Sequence, residues 1–227
     1  MTDFTSQRIG MIEMQIRPNA VTDRNLLAAM GAVPRERFVP ASRRLLAYMD
    51  EALEVFPAID GAPARYLLAP MVLARLIQLA SVEAHDRVLD VGCATGYSTA
   101  VLALLAESVI GLEPEPALAA AAAETLASLA VSNAEIVSAG LASGYPAAGP
   151  YDVIFLNGSV PDEPAALTAQ LKEGGRLVAI LATGRAGARQ GKAYLFVKVD
   201  GEMSGLPHFD AGAPPLPGFL PAPRFVF

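Results

Sequence analysis

From residue 87 onward the chain alternates between short apolar runs and helical stretches, and this alternation constrains its fold more than any other feature. The apolar runs are RVLDVG (87–92), SVIGLE (108–113), AEIVSA (134–139), YDVIFLN (151–157) and GRLVAIL (175–181). Helical patterns fill 97–106 and 117–130, and Pro116 supplies a first-turn proline for the second. A shorter helix is expected over 164–172, ended by Gly174-Gly175. Neighbouring parallel strands need a crossover of a dozen or more residues, and helices of this length provide it. The expectation is therefore an α/β fold, a doubly wound and mostly parallel sheet with helices on both faces. Strands that are apolar almost throughout suit burial on both sides.

The first 80 residues have a different texture. Helices are expected over 5–17, 22–32 and 41–50, and Thr22 or Asp23 can cap the second. Its residues Leu26, Leu27, Met30 and Val33 recur at helical spacing. The segment from Val55 to Pro70, with Gly61 and three prolines beyond Phe56, reads as irregular, and an apolar helix starts at Pro70. After AYLFVKVDG, which suggests one or two more strands, the chain ends in a proline-rich tail. That tail is expected to pack on the domain, although APPLPGFLPAP also has the composition of a polyproline ligand. At 227 residues the simplest organisation is one domain: a helical region over 1–80, a core over 81–200 and a tail over 201–227.

Composition removes several classes of function. No run reaches the roughly 18 apolar residues of a membrane span, and the N-terminus lacks the apolar stretch of a secretion signal. One cysteine allows no internal disulfide and no multi-cysteine metal site, and these features together favour the cytosol. The net charge of −6 gives no general attraction to phosphate backbones. Arg35, Arg37, Arg43 and Arg44 are interleaved with Glu36, Asp50, Glu51 and Glu54, which makes a solvated mixed face and no nucleic-acid patch. His85 and His208 have no partner in the pattern and read as surface residues.

The turn that follows the first core strand, RVLDVGCATGYS, carries the chemical signal. In a doubly wound sheet, ligands bind beyond the carboxyl ends of the strands near such a turn. A dinucleotide fingerprint would need glycines at 92, 94 and 97, where this chain has Gly92, Ala94 and Tyr97, and the lysine of a phosphate loop is missing. The pattern Asp90-x-Gly92-x-Ala94-x-Gly96 resembles motif I of the class I S-adenosylmethionine-dependent methyltransferases, usually [DE]-x-G-x-G-x-G. Gly92 and Gly96 permit close backbone approach, and Asp90 can organise the turn or receive the cofactor's ammonium. Glu113, at the end of the next strand, stands where a carboxylate would accept both ribose hydroxyls. Cys93 and Tyr97 belong to the same cofactor-facing turn. Cys93 reads as a space-filling residue, since no histidine is paired with it.

The N-terminal sequence MIEMQIRPNAVTDRNLLAAMGAVPRERFVP adds a more specific resemblance. With landmarks at Met11, Gln15, Asp23, Leu27, Met30, Val33, Pro34, Arg35, Phe38, Val39 and Pro40, it is similar to the protein-L-isoaspartate O-methyltransferases, and the similarity runs over roughly 8–198. The resemblance implies a Rossmann-like core with N-terminal helices over the substrate face. It also implies S-adenosyl-L-methionine as cofactor and the carboxylate of isoaspartyl residues in damaged proteins as acceptor. The chain departs from the family around the expected site. The family's G-Q-T-I-S-Q-P falls on Ala64 to Pro70, so its serine becomes Leu68 and its threonine Tyr66. The G-D-G after the third core strand becomes Gly140-Leu141-Ala142, and Leu141 stands where an aspartate would meet adenine. Asn157 replaces a threonine.

Two readings of these departures stay open at this stage. Either Arg65, as a charge-assisted carboxylate clamp, re-specifies the acceptor pocket with Tyr66 and Asn157. Or the chain takes another acceptor, or binds the cofactor without turnover. An ionised carboxylate nucleophile needs no general base, so no catalytic residue is assigned. The absence of [DN]-P-P-[FYW] after the fourth core strand argues against methylation of nucleobase amino groups.

Overall fold

The computed structural model describes residues 3–59, 63–183 and 189–219. Gly61 and the tail beyond Phe219 lie outside them. Helix α1 (Phe4–Met11) starts at Asp3, whose carboxylate accepts the Ser6 N–H at 3.1 Å. The helix expected over 5–17 changes character within its length. It continues as a π-helical turn, Ile12–Ile16, then a short 3-10 turn containing Pro18, which has no N–H for an α-helical bond. Helix α2 (Arg24–Ala32) is capped by Asp23, which accepts from the amides of Asn25 and Leu26, and it buries Leu26, Leu27 and Met30.

Two expectations for the next stretch are corrected. Residues 41–46 form only a 3-10 helix after Pro40. The segment expected to be irregular contains an antiparallel pair, β1 (Leu53–Phe56) and β2 (Arg65–Leu67), that alternates buried and half-buried residues. The prolines that obscured it in the sequence, Pro57 and Pro63, lie between the two strands. Helix α3 (Pro70–Ala80) buries Leu73, Ala74, Leu76, Ile77 and Ala80.

The seven-stranded sheet has the order β5-β4-β3-β6-β7-β8-β9. Its strands are β3 (Arg87–Val91), β4 (Ser108–Leu112), β5 (Ala134–Val137), β6 (Tyr151–Val160), β7 (Leu171–Ala182), β8 (Gln190–Val199) and β9 (Glu202–Gly212). The first five are parallel, and β8 and β9 add an antiparallel hairpin. Helices α4 (Tyr97–Ala103), α5 (Pro116–Ser128) and α6 (Ala165–Thr168) connect the parallel strands. The helix expected over 164–172 shrinks to α6, because β7 begins before the two glycines that were read as its end. Gly174, at φ 73°, sits where β7 takes extra residues against β6. Among the described residues, no helix is long and apolar enough to cross a membrane.

The sheet is mixed α/β and mostly parallel, as the alternation predicted. Its strand order reverses at β3: the chain winds outward through β4 and β5, then returns to place β6 on the other side. The crevice at such a switch point lies beyond the carboxyl ends of β3 and β6. Part of the tail returns there too. Ser159 at the end of β6 donates its N–H to the Pro214 carbonyl at 2.9 Å and accepts the Leu216 N–H at 2.9 Å.

Candidate active site

The turn after β3 has a shape its sequence enforces. Gly92 and Gly96 adopt φ of 77° and 89°, and a Cβ on Gly96 would meet the Ala122 Cβ at 3.1 Å. The amides of Gly92 and Cys93 both donate to the Leu112 carbonyl, at 2.8 and 3.2 Å, which ties the turn to the end of β4. Ala94 occupies the left-handed region at φ 50°, a conformation costing an alanine about 1–2 kcal/mol. Its N–H donates to Glu113 Oε2 at 2.8 Å, an interaction that holds the strained residue in place.

Asp90 is fully buried beneath this turn and accepts from the hydroxyls of Ser98 (2.8 Å) and Thr99 (2.6 Å) and from the Asn157 side-chain amide. It therefore braces the turn through α4 and β6 and bonds none of the loop amides. Burial raises its pKa to about 6, although the three hydrogen bonds pull the other way. Asn157, expected on the substrate side, is buried and spent on Asp90. Cys93 is buried, and loss of solvation pushes its thiol well above the usual range, as a space-filling role requires.

Tyr97 corrects another expectation. Its ring is wholly buried and turned from the crevice, edge-on to Phe38 at 5.6 Å and under the Arg35 guanidinium at 4.7 Å. Thr95 Oγ1 donates to the Phe38 carbonyl at 2.6 Å. The two landmark segments, RERFVP and CATGYS, thus pack directly on each other. Leu68 is also a core residue, and its carbonyl accepts from Arg35 Nη2 at 2.8 Å.

The central correction concerns Arg65. Its guanidinium does not face an acceptor pocket. Nε and Nη2 donate to the two carboxylate oxygens of Glu113 at 3.0 and 2.8 Å, and Nη2 also reaches the Gly92 carbonyl at 3.1 Å. Both side chains are buried, at 5% and 0% exposure. The carboxylate expected to hold a ribose is therefore saturated by a bidentate ion pair and by the amide of Ala94. Tyr66, next along β2, points its hydroxyl toward Glu54 (3.4 Å) and Arg189 (3.4 Å), and the Arg189 guanidinium lies 5.2 Å from its ring centre.

With this geometry established, the comparisons with known proteins are decisive. The family described as Protein-L-isoaspartate(D-aspartate) O-methyltransferase matches residues 6–204. The chain belongs to this family. It is 39% identical over 173 residues to protein-L-isoaspartate O-methyltransferase 2 of Anaeromyxobacter sp. (strain Fw109-5), covering 76% of this chain and 69% of that one. It is 38% identical over 173 residues to the protein-L-isoaspartate O-methyltransferase of Methanoculleus marisnigri, covering 76% of each. A solved protein-L-isoaspartate O-methyltransferase superposes with a TM-score of 0.79 at 26% identity, covering 94% of this chain and 67% of that one. A Plasmodium falciparum structure of that description, in complex with S-adenosyl-L-homocysteine, superposes at 0.75 with 20% identity, covering 95% and 99%, and shows the shared fold.

Set against the isoaspartate methyltransferase pattern, the backbone of the 92–96 turn and the position of Glu113 suit an adenosyl cofactor. The space beside them does not, as these side chains are packed. A Cβ placed on Gly92 would meet Leu216 Cδ2 at 2.7 Å, Arg65 Nη2 at 3.1 Å and Leu141 Cδ1 at 3.4 Å. Leu141, in place of the expected aspartate, is 2% exposed and forms part of this apolar filling. Sequence reasoning missed Leu216 and Ser159 altogether, because no local pattern links the tail to β6. It also missed Ser98 and Thr99, although hydroxyls opening the helix after an acidic strand end are a signal that was there to read.

Proposed function

We propose that the chain methylates the carboxylate of isoaspartyl residues in proteins, with S-adenosyl-L-methionine as methyl donor. The observation that carries this reading is the unbroken family match from residue 6 to residue 204, which joins the N-terminal helices to the core that bears the turn. In this reading the chain is one domain, with 1–80 on the acceptor side and a cofactor core that starts at 81 and runs past the expected limit of 200, because β9 extends the sheet to Gly212. An ionised carboxylate is already nucleophilic, so the protein's task is to orient it and exclude water. Tyr66 and the Arg189 guanidinium beside it, neither of them bound to Glu113, are the groups we assign to the incoming carboxylate. The lone buried thiol supports a reducing cytosol as the setting.

The deciding assay incubates the protein with an isoaspartyl peptide and labelled S-adenosyl-L-methionine and measures base-labile methyl ester. Ester above the level seen with the aspartyl control peptide is expected. No ester at any enzyme concentration would reject the reading. Arg189→Ala should raise KM for the peptide while leaving cofactor binding intact.

A further inference from the structure

The chain closes its own cofactor crevice. Ala213 to Leu216 cross the carboxyl ends of the two strands that flank the switch point. Ser159 holds this segment by three hydrogen bonds: its N–H to the Pro214 carbonyl (2.9 Å), its hydroxyl to the Ala213 carbonyl (3.1 Å) and its carbonyl from the Leu216 N–H (2.9 Å). The Leu216 side chain, 1% exposed, fills the space over both Gly92 and Gly158. A Cβ on Gly158 would lie 2.7 Å from Leu216 Cγ and 2.8 Å from the Pro214 carbonyl oxygen. Arg65 closes the other side, where it takes both Glu113 oxygens and the Gly92 carbonyl.

We propose that Arg65 and the Ala213–Leu216 segment form a removable plug, and that an adenosyl cofactor enters only when both withdraw. This rests on the methyltransferase reading above and adds a regulated entry step to it. Chemistry makes the exchange feasible. Two ribose hydroxyls can donate to Glu113 in place of the two guanidinium N–H groups, and an adenosyl group can replace the Leu216 side chain over Gly92. Each anchor is also narrow. The backbone of the tail segment is held by Ser159 of β6 and, at its start, by the Arg189 carbonyl, which accepts the Ala213 N–H at 2.8 Å, and Arg65 belongs to a three-residue strand outside the main sheet.

The test is calorimetric titration of S-adenosyl-L-homocysteine into the full chain, into Leu216→Ala and into a chain ending at Gly212, with amide hydrogen exchange on the full chain. We expect Leu216→Ala to bind at least tenfold more tightly than the full chain. In the full chain, the ligand should speed exchange at the Ser159 and Leu216 amides while slowing it at the 92–96 turn. Should the shortened chain fail to fold, Leu216→Ala and the exchange pattern decide the matter alone. Equal affinity for the full chain and Leu216→Ala, with the Ser159 and Leu216 amides still protected in the complex, overturns the plug and leaves the methyltransferase reading standing. Absence of binding to every folded form overturns both.

Discussion

A double-mutant cycle on Arg65 and Glu113 tests the site most directly. Glu113→Gln keeps the shape of the side chain but removes the charge that two guanidinium N–H groups address at 2.8 and 3.0 Å. The Arg65 side chain is only 5% exposed, so its charge would remain buried without a partner. Stranding one member of a buried pair costs about 3–5 kcal/mol. Arg65→Met strands Glu113 instead, though the Ala94 amide at 2.8 Å and the Glu115 amide at 3.3 Å still address it, so the lower end of that range applies. The double variant buries no unpaired charge, and replacing a whole buried pair by apolar or neutral groups is often close to neutral. The two single losses together exceed the loss in the double variant by a coupling on the order of 6 kcal/mol. Urea unfolding at pH 7 reads it: at a slope of about 1–3 kcal/mol per molar, each single variant should lose roughly 1 M or more of midpoint. The double variant should recover most of that loss. Single variants that each cost less than about 1 kcal/mol, or effects that add within about 0.5 kcal/mol, would mean the pair is solvated and the crevice open.

Other predictions follow from the same geometry. Asp90 titrates near 6 in the fold against 3.8 when free, so the folded state holds its proton more tightly. The stability this provides is complete below about pH 4 and is lost as pH rises through 6, a swing of about 3 kcal/mol. In Asp90→Asn this contribution should vanish, and a stability difference from wild type that stays flat between pH 4 and 7 would refute the assignment. Cys93 should react with a thiol reagent only in denaturant, since it is buried and its thiolate disfavoured; labelling in buffer at a model thiol's rate would contradict the structure. The buried Tyr97 hydroxyl has no hydrogen-bond partner among the described residues, so Tyr97→Phe should raise stability by about 1 kcal/mol in the same urea assay. A loss of more than 1 kcal/mol would show that the hydroxyl is in fact satisfied.

Much of this fold was legible because its signals are local. Asp23 before Leu26 and Leu27 specified a capped amphipathic helix. The strands at 87, 108 and 134 announced themselves as runs separated by helical stretches, and the strand at 151 as a continuous apolar run. Local reading failed where two neighbouring signals competed. Gly174-Gly175 looked like a helix end but belongs to a bulged strand, and the prolines at 57 and 63 concealed a strand pair that alternation alone would have revealed. Tyr97 and Asn157 were assigned outward because the sequence gives a residue's place in an element. It does not give the direction in which the next layer packs.

The sequence by itself determined the sheet, its glycine turn and the acidic residues at two strand ends, since dihedral preferences and hydrophobic period act within a few residues. Tertiary structure alone decided which groups meet those carboxylates. Arg65 reaches Glu113 across 48 positions, and Ser159 accepts from a residue of the returning tail. A charge or an amide carries no record of its partner in its own neighbourhood. Only burial, which makes an unpaired polar group costly, selects the partner, and burial belongs to the folded chain.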